Sequence, residues 1–514
     1  MWALWWLLAV PVLLCSAKFI PAKTKQAAPL LRAEKQISSF AADIRATGEL
    51  ARLNRSHNDA VQDVAKLSTE TRMKHGSAAD EKVRRGRRHA ESQVLHMAHE
   101  LLQTFQAGAG YQDRVWIRDL ATFLPEALEA GVDHLQAKQV LLKFFEHQGE
   151  NGEIVDWYIP ITGQTDKNTV ATDQETSLVQ AVHTYIKSYG MALFHHPVIS
   201  KGTFRHRHYS NRTVQERIEL ALNYLLEERL SSEHQLIYGA TTMDWGDVQA
   251  EHPKGVFYPG GGIYIDHSTH PSLDVYDNAM MILAMKNYAE LCTMDNNSTC
   301  ADRWASMADS FSKRTRDVLW DQKRQKWRPH VYLSSKDKAT QGYHSGSPFP
   351  DDYDEDSMYY HGGTTAAILA GLHTKEETKD AYTKMMHNAA LAGLQEPLTV
   401  GLTNYPPYPH GMFGNLQNVP YGYQNGGDWP WWGGRTVQGL VQMGLLEEAS
   451  TALAPMIART IKYNDFYEWY DRYNRPQGSS RFHGAAGALA KAVRMLQKAQ
   501  GSRAAFHGRG GRAP

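Results

Sequence analysis

Two stretches place carboxyl groups where acid–base chemistry would want them. In Thr242-Met243-Asp244-Trp245-Gly246-Asp247, Asp244 is flanked by Met243 and Trp245, and apolar neighbours raise a carboxyl pKa and keep the group protonated. In Asp465-Phe466-Tyr467-Glu468-Trp469-Tyr470-Asp471, Glu468 lies inside an aromatic run, where tyrosine hydroxyls can hold a carboxylate beside a water. One protonated and one ionised carboxyl group are what breaking a glycosidic bond requires. For either residue alone, a structural cap or a surface salt bridge is the competing reading. Trp116-Ile117-Arg118-Asp119 is a third stretch of interest. An Arg-Asp pair at the head of a helix serves as an N-cap or as a clamp on sugar hydroxyls.

Positioning these groups falls to helices. Helical periodicity with little β-branched alternation predicts twelve of them, over 89–106, 119–130, 133–147, 174–189, 212–230, 273–293, 299–319, 361–372, 374–393, 434–444, 446–462 and 483–499. Gly131 and Gly190 stand where helices should stop. The expected fold is all-α, an (α/α)6 barrel in which six helical hairpins close into a ring. A helical repeat array would need self-similarity at a fixed period, and none is visible. Five connections, 148–173, 231–272, 320–360, 397–433 and 463–482, hold most of the Trp, Tyr, Gly and acidic residues. Long loops in a compact domain are usually functional or disordered, and loops this aromatic are poor candidates for disorder. They are expected to gather at one end, where Trp116, Trp157, Trp245, Trp429, Trp431, Trp432 and Trp469 would line a funnel. Aromatic faces interleaved with Asp, Asn and Gln suit sugars, which offer C–H faces to stack and hydroxyls to hydrogen-bond.

Five segments together resemble a family: YQDRVWIRD (111–119), MDWGD (243–247), YHGGTTAAIL (360–369), YQNGGDWPWWGG (423–434), and FYEWYD (466–471) with RFHGAAGAL (481–489). Their order and spacing are similar to those of the six-hairpin glycosidases, the clan of processing α-glucosidases, neutral invertases and glucosyl- and mannosylglycerate hydrolases. In that clan the general acid follows the fifth helix and the general base lies between the eleventh and twelfth. The helix count puts Asp244 and Glu468 in those two places. The resemblance also implies that Arg118 and Asp119 hold the sugar in subsite −1 and that Gln424, Asn425, Gly427 and Trp429 line the pocket. Trp116, Trp245, Asp247 and Trp469 join them as expected substrate contacts. No cofactor and no metal is implied.

Composition narrows the classes further. With 55 Lys+Arg against 55 Asp+Glu the formal charge is zero, so the basic excess of a general nucleic-acid binder is missing. Residues 1–17 (MWALWWLLAVPVLLCSA) form an uncharged apolar run ending in small residues, a signal-peptide pattern with an uncleaved anchor as the alternative. No later apolar stretch is long enough to span a bilayer. Cys15 would leave with the signal. Cys292 and Cys300, which flank the loop TMDNNST, then read as one disulfide. Sequons for glycosylation occur at Asn54, Asn211, Asn296 and Asn297. Residues 18–87 read as a helical or disordered extension, 88–500 as the glycosidase domain and 501–514 as a disordered tail.

Other features carry less. His206 and His208 alternate with arginines that would repel a cation. Asp352, Asp354 and Asp356 lack the Gly and Glu of a calcium loop. Gly260-Gly261-Gly262 does not join a strand to a phosphate-binding helix, and Tyr276 and Asp277 are pocket wall or cap. The expected function is an inverting glycoside hydrolase of the secretory pathway acting on an α-linked glucoside or related small sugar. Asp244 is expected as acid and Glu468 as base, facing each other across the barrel mouth about 6.5–9.5 Å apart. The alternatives are a phosphorylase or lyase-type (α/α)6 enzyme, for which Arg435 and Arg472 are the obvious phosphate ligands, and an inactive secretory sugar-binding protein.

Overall fold

The computed structural model describes residues 78–509, except 112, 203–206, 248, 251–263 and 414–418. The signal-like run, residues 18–77, Asn54, His206 and Gly260-Gly261-Gly262 lie outside the described residues.

Twelve α-helices are present among the described residues, each overlapping one expected from the sequence: α1 (Ala78–Leu101), α2 (Ile117–Glu129), α3 (His134–Glu146), α4 (Asp173–Tyr189), α5 (Val214–Glu228), α6 (Val275–Met294), α7 (Ser298–Leu319), α8 (His361–Leu369), α9 (Lys375–Leu391), α10 (Pro430–Gln442), α11 (Leu446–Tyr463) and α12 (His483–Arg509). Even-numbered helices pack on one another in sequence, α2 on α4, α4 on α6, α6 on α8, α8 on α10, α10 on α12, and α12 returns to α2. Each odd-numbered helix from α3 onwards packs on an even-numbered neighbour.

Residue patterns explain the two classes. On α7 the buried residues are Trp304, Ala308, Phe311, Thr315 and Leu319, spaced three and four apart, which gives one apolar stripe and a solvated back. On α6 the buried set runs round the whole helix, from Val275 and Tyr276 to Leu291 and Cys292; such a helix must be surrounded. Capping boxes at Thr213/Glu216 and Thr374/Glu377 start α5 and α9. Gly131 and Gly190, with φ of 83° and 85°, follow α2 and α4 at their ends. Most boundaries shift by a few residues, α10 beginning at Pro430 rather than 434, and two shift by about ten. The first helix begins at Ala78, and α12 continues to Arg509, into the stretch expected as a tail.

The chain is mostly helical rather than strictly all-α. Short strands tie the connections together: β1 (Val115–Trp116) pairs with β2 (Trp157–Tyr158), β2 with β3 (Thr165–Asp166), and β4 (Pro197–Gly202) with β5 (Arg207–Thr213). Two-residue strands have no sequence period to detect, and β4–β5 occupies what reads as a solvated basic loop. Each of the five long connections runs from an odd-numbered helix into the amino-terminal end of an even-numbered one. The opposite connections, apart from β4–β5, are brief. Cys292 and Cys300 are joined in a disulfide across one of them, between α6 and α7.

Candidate active site

Glu468 is fixed by its own loop. Trp469–Tyr470 pairs antiparallel with Pro476–Gln477, which brings Ser479 back beside Glu468. The Glu468 amide donates to the Ser479 carbonyl at 2.9 Å, and the Ser479 amide donates to Glu468 Oε2 at 2.8 Å. Tyr111 Oη donates to Oε1 at 3.1 Å. Gly478 (φ 67°) passes so close that a Cβ there would lie 2.4 Å from Oε2. Burial pushes the Glu468 carboxyl up to about 7 against the hydrogen bonds from Ser479 and Tyr111, and the neighbouring Asp247 raises it further.

β1 leads directly into α2, and the Ile117 amide donates to the Asp156 carbonyl at 3.0 Å. This sets Arg118 and Asp119 in the first turn. Arg118 grips Asp173, the first residue of α4, through Nε–Oδ2 at 2.5 Å and Nη2–Oδ1 at 3.2 Å, and Tyr276 Oη on α6 donates to the same Oδ2 at 2.6 Å. Arg118 Nη2 also lies 3.7 Å from Asp156 and 3.3 Å from Asp247. One guanidinium thus faces three carboxylates. The Asp119 carboxyl group makes no hydrogen bond among the described residues, and burial, opposed by Arg118, raises it to about 7, with Glu468, Asp156 and Asp247 adding to the rise. Asp156 is likewise raised to about 7 by burial, against the pull of Arg118.

Asp247 belongs to this cluster, and Asp244 does not. The Asp247 side chain is 27 % exposed, its amide donates to Gln424 Oε1 at 3.2 Å, and burial raises its carboxyl against Arg118. Asp244 is 1 % exposed. Its backbone takes a left-handed turn (φ 59°) that seats the carboxylate on the start of α8, where the Gly363 amide donates to Oδ1 at 2.7 Å. Cβ atoms at Gly362 and Gly363 would lie 2.7 Å from Oδ2 and 2.8 Å from Oδ1, so glycine is what lets the carboxylate reach the helix. Burial raises Asp244 to about 8 despite the Gly363 and Gly362 amides. The acidic group whose charge raises Glu468 is Asp247.

Other expectations divide in the same way. Trp245 is packed edge-on against Trp429, Trp431 and Trp432 at 4.9, 4.8 and 5.5 Å, and Trp157 is buried too. These five rings are core. Trp116 and Trp469 stay partly exposed. Asn425 brackets Tyr408, accepting from its amide at 2.7 Å and donating to its carbonyl at 2.9 Å, which is a structural task. Gly427 allows close packing, since a Cβ would meet the Tyr423 carbonyl oxygen at 2.2 Å. Gln424 is buried, with Nε2 unpartnered among the described residues. Tyr111, Asp156, Asp173 and Ser479 were not singled out from sequence; Asp173 opens a helix and would be read there as an ordinary cap.

No family model and no curated protein sequence matches the chain. Solved structures do. An uncharacterized conserved protein from Thermus thermophilus superposes with a TM-score of 0.53 at 13% identity, over 77% of this chain and 99% of that one. A GH63 mannosylglycerate hydrolase from the same organism, in complex with glucose, gives 0.53 at 12% identity over 79% and 99%, and its complex with Tris gives 0.51 at 14% over 77% and 99%. In fold, the chain is similar to a GH63 glycosidase.

Proposed function

We propose that the protein is an inverting glycoside hydrolase with an (α/α)6 barrel, formed by residues 88–500, acting on an α-linked glucoside or a related small sugar. The single observation that carries this reading is the group of carboxyl groups around Arg118, with Glu468 and Asp247 in electrostatic contact and both raised by burial. The closed circuit of even-numbered helices and the likeness to a hydrolase solved with glucose support it.

Glu468, held by Tyr111 and Ser479, takes a proton from water; a base near neutral pKa is well matched to that task. Asp247 is our first choice of acid, because its carboxyl reaches the cluster and its side chain is partly exposed. It would give its proton to the leaving oxygen. Asp244 is the second choice, favoured by a carboxyl raised to about 8 and therefore protonated at neutral pH. Asp119 and Arg118 would hold sugar hydroxyls, with Trp116 and Trp469 as stacking faces. We further propose entry into the secretory pathway, supported by the apolar amino terminus, the bonded Cys292–Cys300 pair and the exposure of Asn211, Asn296 and Asn297. An array of aryl and natural glycosides, with the first-formed anomer followed by NMR, tests the activity. Inversion is expected; retention would overturn the mechanism, and inactivity on every glycoside would leave the sugar-binding alternative.

A further inference from the structure

A cavity of about 420 Å³ lies among the even-numbered helices. Residues of all six even-numbered helices line it, from the middle and last turns rather than the first, so it lies beyond the catalytic cluster along the helices. Its charged wall is uneven. Arg494 is paired with Glu126 at 2.7 Å and with Glu129 at 2.8 Å. Glu290 accepts from Lys187 and lies 2.8 Å from His183. Arg435 and Lys491 also face the cavity, and neither has an ion pair among the described residues. Arg435 lies over Trp431 and Trp432, its centre 5.1 and 5.3 Å from the rings, and it repels Lys491. Burial lowers the pKa of both cations, against the pull of Tyr276 and Asp173 on Arg435 and of Glu126 on Lys491.

Two cations in one concave space, with most of the surrounding charges already matched, leave a local positive surplus. Bringing like charges together in a partly desolvated site is unfavourable, and an anion between them removes the penalty. Gln180, Asn287 and Gln442 on the same wall offer further hydrogen-bond donors.

We propose that this cavity is a binding site for a small oxyanion, a phosphate or a carboxylate, held between Arg435 and Lys491. Arg435 also hydrogen-bonds Tyr276 and feels the charge of Asp173, so the site borders the Arg118 cluster, but anion binding there does not require hydrolysis. Inorganic phosphate and acetate, titrated into the whole protein at constant ionic strength, provide the test by calorimetry and thermal shift. Saturable binding of one phosphate or acetate per chain with a rise in Tm is expected. Lys491→Gln should weaken it at least 10-fold, Lys491→Arg should retain it, and Glu468→Gln should leave it unchanged. Absence of saturable binding to the parent protein, or equal affinity in Lys491→Gln, would overturn the proposal. Because binding is read without substrate, these results stand whether or not the protein proves to be a glycosidase.

Discussion

Asp244 and Asp247 stand three residues apart on the loop between α5 and α6, and their surroundings could hardly differ more. Asp244 is buried, with the Gly363 amide on Oδ1 and Oδ2 without a partner among the described residues, and burial drives its carboxyl to about 8. Asp247 faces Arg118, keeps part of its surface, and shares a field with Asp119 and Glu468. The first setting stores a proton; the second presents a carboxyl group to a ligand. A general acid needs both properties, so the contrast between these two seats is the point on which the mechanism turns.

The largest expected effect lies outside that pair and frames it. Glu468→Gln keeps the shape, and its oxygen can still accept from the Ser479 amide while its nitrogen donates to Tyr111 Oη, but it cannot take a proton. Turnover should fall by about 100- to 10,000-fold for every leaving group, with Tm little changed. A variant with unaltered kcat would remove Glu468 from the chemistry and with it the whole comparison.

The two aspartates are then separated by leaving-group dependence. Asp247→Asn should cost about 100-fold or more on glycosides with poor leaving groups and much less on glycosyl fluorides, which need no proton. Asp244→Asn should lower both substrates alike and modestly, through displacement of the loop. If Asp244→Asn shows the selective loss and Asp247→Asn does not, the acid is Asp244, and its seat on α8 must open when substrate binds.

These contrasts were only partly legible in the sequence. Twelve helices were readable because apolar stripes and caps repeat along α5, α7 and α9. The location of Glu468 between α11 and α12, and of the Asp244–Asp247 loop after α5, followed from counting them. Where the carboxyl groups of that loop sit was not readable: the seat of Asp244 depends on its left-handed backbone and on two glycines that are more than a hundred residues away. The packing of the tryptophans was hidden for a related reason. A loop rich in Trp looks like a sugar platform; Trp245 packs edge to face on Trp429, Trp431 and Trp432, with Trp245 Nε1 and Trp432 Nε1 buried and without a partner among the described residues, while Trp116 and Trp469 stay partly exposed.

A stability measurement sharpens the comparison with a smaller effect. Asp244 has a folded pKa of about 8 against an ordinary value of 3.8, so the folded state binds its proton more tightly. That contribution is fully present below about pH 4 and is lost as pH rises through about 8. Glu468, Asp119 and Asp156, each raised to about 7, act with the same sign. The urea midpoint of the parent protein should therefore fall between pH 5 and 8. Asp244→Asn should fall less over that range, because an amide has no proton to lose. Parallel curves for parent and variant would show that Asp244 titrates normally and that its seat is not as dry as its burial indicates.

The smallest expected effect comes from the far end of α6, away from Tyr276 and the carboxylates. Cys292 and Cys300, eight residues apart in sequence, close a short ring, and loop-closure entropy for so small a ring gives about 2–3 kcal/mol. Spread over a cooperative unit that starts at Arg87, this corresponds to a drop in Tm of only about 3 °C. Reduction exposes no catalytic group and leaves the first turns of α2, α4 and α8 as they are. Turnover measured well below Tm should therefore be unchanged, and so should the fluoride selectivity of Asp247→Asn. A loss of activity on reduction, at a temperature where the protein stays folded, would mean that the α6–α7 turn and the start of α6 move together. Tyr276, through its hydrogen bond to Asp173, would then be the link between that turn and Arg118.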